Sequence, residues 1–111
     1  MSHSSTEQNG ITIITLSGKI MGGPEAGEIN DQINSLIDQG KHKIIIDLKE
    51  VDWMNSSGLG ILIGAITTLK NNGGSLGLTN VSERIMNLLK ITKLMEIFSI
   101  YPNIDSALAE M

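Results

Sequence analysis

Apolar positions along the chain fall into two periods, and the change between them marks the elements. Ile11 to Leu16 is rich in β-branched residues and reads as a strand. Asn9-Gly10 just before it is a hairpin signal, because both residues tolerate positive φ. Met1 to Glu7 is polar and fits either a frayed start or a short edge strand. Gly22-Gly23-Pro24 breaks the pattern, and Pro24 suits the first turn of a helix. Ala26, Ile29, Ile33, Leu36 and Ile37 then recur at helical spacing, with Glu25, Glu28, Asp31 and Gln32 turned outward. Gly40 supplies the stop.

Ile44-Ile45-Ile46 lies within a second strand, Lys43 to Leu48. An unbroken β-branched run predicts a strand covered on both faces, as in a parallel sheet flanked by helices. Asp52 to Ser57 reads as the loop leaving it, and Gly58 to Asn71 as a helix. Leu59, Leu62, Ile63, Ile66 and Leu69 form its stripe, with Ile61 and Ala65 off the stripe as surplus apolar surface. Gly60 and Gly64 share one side, which predicts close approach of this helix to the sheet. Gly73-Gly74 ends it, and Leu76 and Leu78 alternate in a short strand over Ser75 to Thr79. Asn80 and Glu83 have capping-box spacing before a helix with Ile85, Leu88 and Leu89 inward. Ile97 to Tyr101 reads as a last strand, and Pro102-Asn103 leads into a terminal helix through Leu108. The expected fold is α/β: a mixed sheet of four to five strands packed with about four helices, as one domain over 1–111.

Composition narrows the function. Hydrophobic residues are 41% of the chain, enough for a packed core. Twelve acids against eight bases leave a net charge of −4, which argues against a nucleic-acid partner. Cysteine is absent, so thiol chemistry and thiolate metal sites are excluded. His3 and His42 are too few and too far apart in sequence for a metal site, and no cofactor is expected. No apolar run approaches the roughly 20 residues that span a bilayer, and the first ten residues are not a signal peptide. No membrane association and a cytoplasmic location are expected, as a monomer or a weak dimer.

The candidate chemistry lies at Asn55-Ser56-Ser57-Gly58. A serine at a helix start most often caps free backbone N–H groups. A functional serine is also expected here, because loops after central strands carry the sites of α/β sheets. A phosphate on Ser57 would sit at the positive end of the helix dipole, which tolerates it. The nucleophile-elbow alternative needs Gly-x-Ser-x-Gly, and Met54 or Asn55 stands where that glycine belongs. Gly22-Gly23 lacks the Lys and Ser/Thr of a phosphate-binding loop and reads as a turn. Trp53 fits a half-buried residue beside a strand or a partner hot spot. His42 reads as a solvated turn residue, and Asp47 and Asp52 as strand-end acids.

Val51-Asp52-Trp53-Met54-Asn55-Ser56-Ser57-Gly58-Leu59-Gly60 resembles the signature of the STAS domain of anti-sigma-factor antagonists. The resemblance takes in Ile44 to Leu48 and Leu69 to Leu78 and covers roughly Ile11 to Ala109. It implies a STAS-like fold without enzymatic activity of its own. It also implies a protein that binds a serine-kinase anti-sigma factor and releases a sigma factor. The kinase would switch it off by phosphorylating Ser57, and a PP2C-type phosphatase would reset it. By the same resemblance, Met21, Gly23, Met54, Asn55, Ser56, Gly58, Leu59 and Ile61 would form the partner surface. Asn55 stands where the family often has Asp, and Met21 where it commonly has an acid. These departures favour an alternative: a non-switching STAS scaffold subunit of a transporter or stress-sensing complex.

Overall fold

A computed structural model describes residues 2–111. Nine elements follow in the order β1 (Ser2–Gln8), β2 (Ile11–Ile20), α1 (Pro24–Asp38), β3 (Lys43–Met54), α2 (Ser56–Asn71), β4 (Ser75–Thr79), α3 (Glu83–Ile91), β5 (Ser99–Tyr101) and α4 (Ile104–Glu110). The five strands form one sheet in sequence order, with β1 antiparallel to β2 and the remaining pairs parallel. The fold is α/β with a mixed sheet, as the periodicity predicts. Ser2 to Gln8 is a paired edge strand, which decides between the two readings of the start; Met1 lies outside the described residues.

The β1–β2 hairpin turns on Asn9 (φ 54) and Gly10 (φ 77), both in the left-handed region that a type I′ turn requires. From β2 onward each crossover steps to the next strand in one direction. Right-handed crossovers of that kind place every connecting helix on one face. Accordingly Ile29, Ile33, Leu62, Leu69, Ile85 and Leu89, from α1, α2 and α3, pack with Ile14, Ile44, Ile46 and Leu78 in one core. The other face holds a smaller cluster of Ile11, Ile13 and Ile45 beneath Ala107 of α4. The Ile44-Ile45-Ile46 run is thus covered on both sides, with no accessible surface on any of the three.

The structure corrects four boundaries or faces. β2 continues past Leu16 to Ile20, and β3 past Leu48 to Met54, so Asp52 to Met54 is strand and only Asn55 separates β3 from α2. The two strands stay paired through register shifts between Thr15 and Ser17 and between Gly18 and Lys19. Those shifts interrupt the alternation that marks a strand in sequence. Ile61 and Ala65 are buried rather than surplus, because α2 packs against both the sheet and α1. Glu25 and Gln32 of α1 are half-buried rather than turned outward.

Gly60 and Gly64 do not mediate approach to the sheet. They are exposed, and a Cβ on either would meet nothing within 4 Å. They line a shallow groove between α1 and α2 with Ala26, Gly27 and Asn30. The cap of α3 also differs from expectation. Ser82 Oγ accepts from the Ile85 N–H at 3.2 Å, while Asn80 (φ 53) turns away and donates to Asp47 Oδ1 at 2.7 Å. Asp47 is buried and also accepts from Thr79 Oγ1 at 3.0 Å, so it ties β3 to β4. His42 is only partly exposed, and its Nδ1 is buried.

Candidate functional site

Three segments meet at the C-terminal ends of β2 and β3. Asn55 leaves β3 with extended backbone (φ −103, ψ −179) and acts as the N-cap of α2. Its Oδ1 accepts a hydrogen bond from the Gly58 N–H at 2.7 Å, and its carbonyl accepts from the Leu59 N–H at 2.9 Å. The capping role that helix-start statistics assign to a serine is therefore filled by Asn55. Ser56 and Ser57 occupy the first two helical positions, and both are exposed.

Gly58 explains why the chain needs glycine at the third helical position. A Cβ there would stand 2.0 Å from the carbonyl oxygen of Ile20 and 2.7 Å from its carbon. No side chain fits, so the first turn of α2 lies directly on the β2 backbone. The Asn55 N–H reaches the same Ile20 carbonyl at 3.4 Å. Gly22 closes the other side. It has φ +89, and a Cβ on it would come within 3.1 Å of both Cβ and the carbonyl oxygen of Ser57. The turn after β2 is thereby pressed against the backbone and Cβ of Ser57, which nonetheless remains exposed.

The electrostatics of this corner are simple. The first turn of α2 holds no acidic residue, and its cap is an uncharged amide. A dianion on Ser57 would meet the positive end of a 16-residue helix with no carboxylate in that turn opposing it. With Asp at the cap, the hydrogen bond would be kept and a like charge added.

Of the residues expected to face a partner, the structure brings Met21, Gly23 and Ser56 to the surface beside the exposed Ser57, and leaves Asn55 half-buried. Met54, Gly58, Leu59 and Ile61 are buried. Met54, Leu59 and Ile61 belong to the main core and offer a partner no side-chain surface: Met54 is buried at the end of β3, and Leu59 and Ile61 are buried where α2 packs against the sheet and α1. Two exposed side chains were not in that set. Trp53 is 38% exposed, and the Arg84 guanidinium lies 5.4 Å from its ring centroid. Lys19 is the β2 neighbour of Trp53. Its isolation as the single tryptophan was the available signal for Trp53; nothing local in sequence announced Arg84. Among the described residues no cluster of His, Cys, Asp and Glu could hold a metal.

A family model for the STAS domain matches residues 3–107. The chain belongs to that family. Among its relatives, an anti-sigma-B factor antagonist of Bacillus subtilis is 40% identical over 72 residues, which is 65% of each chain and so just under two thirds of that relative's length. The fold also matches solved STAS-type structures. The Bacillus cell fate determinant SpoIIAA in its phosphorylated form superposes with a TM-score of 0.74 at 21% identity, covering 98% of both chains. A sulfate transporter family protein from Wolinella succinogenes superposes at 0.72 with 20% identity, covering 95% of this chain and 87% of that one. At these identities the structural likeness speaks for the STAS fold, and this fold occurs in proteins of both descriptions. Among the described residues no helix is long and apolar enough to cross a membrane.

Proposed function

We propose that this STAS domain is an anti-sigma-factor antagonist whose binding is switched at Ser57. The unmodified protein binds a serine-kinase anti-sigma factor and so frees a sigma factor. The kinase transfers the γ-phosphoryl group of ATP to Ser57 Oγ, the hydroxyl proton is lost, and ADP leaves. About two negative charges then enter the contact, and the complex separates. A PP2C-type phosphatase hydrolyses the ester and restores the hydroxyl. Ser57 is the phosphoacceptor; Met21, Gly23, Ser56 and the Asn55 turn surround it.

One observation carries this reading: Asn55 caps the helix, so the exposed Ser57 hydroxyl is held at the helix start without a capping duty. Phosphorylation would therefore not cost the fold its cap. The relative from Bacillus subtilis supports the partner class by its name. Incubation with a cognate kinase and ATP, followed by intact-mass measurement, should add one phosphate to the wild type and none to Ser57→Ala. Equal phosphate uptake by Ser57→Ala would contradict the assignment.

A scaffold reading rests on the transporter-family neighbour and on Asn55 and Met21 in place of acids. It predicts that Ser57→Asp keeps its partner in a pull-down, whereas the switch predicts loss.

A further inference from the structure

β1 ends the sheet, and its outer edge is built to pair. Edge strands are normally protected by brevity, proline, bulges, charged side chains (lysine above all) or a covering element, and the one carboxylate of β1, Glu7, is already paired with Lys41. β1 has seven residues in uniform register with β2, from Ser2↔Ser17 to Gln8↔Ile11. It contains no proline and no lysine, and every residue in it is exposed.

The hairpin sets which backbone groups face outward. A two-residue turn at Asn9-Gly10 makes Gln8 and Ile11 a hydrogen-bonded pair. Alternation then turns Ser2, Ser4, Thr6 and Gln8 toward β2 and points the N–H and C=O groups of His3, Ser5 and Glu7 away from the sheet. We infer that β1 pairs antiparallel with β1 of a second copy, with Ser5 opposite Ser5 on the two-fold axis. Of the registers this strand can adopt with itself, that one engages all the outward groups of both strands.

Side-chain charge selects the same register. Pairing about Ser5 places His3 opposite Glu7 of the second copy, twice by symmetry. A histidine offers an N–H to a carboxylate in either protonation state. Within one copy His3 lies 3.9 Å from Glu28, and Glu7 bonds to Lys41 at 3.2 Å. The contact would therefore complete rows running Glu28, His3, then Glu7 and Lys41 of the second copy. On the opposite face Ser4 meets Thr6, a pair that hydrogen-bonds across strands. The two-fold axis stands normal to the sheet, so the two α1 helices share a side with both β1 strands between them. β1 contributes no residue to the Ser57 corner, so each copy keeps its own site open.

The test uses the wild-type chain and two readouts. Sedimentation over a concentration series should show a reversible monomer–dimer equilibrium. Amide exchange followed by NMR should show His3, Ser5 and Glu7 gaining protection as concentration rises, with Ser4 and Thr6 protected throughout. Ser5→Pro removes an outward N–H without touching the β2 ladder, and should raise the dimer dissociation constant at least tenfold with its circular dichroism unchanged. A strictly monomeric chain, a dimer in which the His3, Ser5 and Glu7 amides exchange freely, or a folded Ser5→Pro dimer of undiminished affinity would overturn the inference. Should Ser5→Pro fail to fold, the wild-type exchange pattern decides alone.

Discussion

The corner proposed to carry the phosphate depends on a division of labour among three neighbouring residues. Asn55 caps, Gly58 lets α2 touch the β2 backbone, and Ser57 is left exposed between them. Asn55→Ala removes the Oδ1 acceptor and should cost about 1 kcal/mol, measured as a lower urea midpoint at constant slope. Asn55→Asp keeps the acceptor and should fold at least as stably, while accepting phosphate on Ser57 more slowly because a like charge stands at the cap. Gly58→Ala must displace the Ile20 carbonyl, and overpacking of that kind should cost about 3 kcal/mol, visible in the same denaturation curves. A Gly58→Ala protein of wild-type stability would show that the first turn of α2 does not lie on β2 as described. The serine pair and the glycine were legible in sequence as a motif. That the asparagine holds the cap was not, because Asn55, Ser56 and Ser57 can all cap, and only the backbone angle at Asn55 separates them.

At the scale of elements, periodicity identified the helices and the strands from β2 onward, because each buried face repeats at its own period; β1 has no buried face, and its sequence left a frayed start and an edge strand both open. Periodicity failed where a second neighbour intervened. A single apolar stripe describes a helix with one partner, whereas α2 has the sheet on one side and α1 on another, so Ile61 and Ala65 are core. The polar Lys49-Glu50 stretch hid the continuation of β3 to Met54. The two exposed glycines were misread for a related reason: spacing tells which residues share a side, not what that side faces. The two sides of α2 should answer mutation differently. Ile61→Ala should lose about 2–5 kcal/mol through lost burial and a cavity. Gly60→Ala and Gly64→Ala should each gain about 0.5–1 kcal/mol, because a methyl there meets nothing and restrains the unfolded chain. Thermal melts of the three variants check both signs.

At the scale of the molecule, the two proposals fall on different parts of the sheet: self-pairing on the outer edge at β1, and the regulatory partner at the strand ends near Ser57. Met21 and Trp53 are exposed near those ends, and Met21 stands where family resemblance had suggested an acid, so the proposed binding would draw on apolar contact there. Trp53→Ala should weaken partner binding about tenfold or more, the scale of an aromatic hot spot, while the melting temperature stays within a few degrees. Family membership and fold could be read from the signature and the strand–helix order. The pairing of Trp53 with Arg84 could not, because the two are far apart in sequence and meet only through the fold. The central claim is that the charge state of Ser57 governs association. The most direct measurement is calorimetric titration of the cognate anti-sigma kinase with the unmodified protein and with the protein stoichiometrically phosphorylated at Ser57. The account predicts that phosphorylation weakens binding at least tenfold with the fold intact. Equal affinity of the two forms would contradict it.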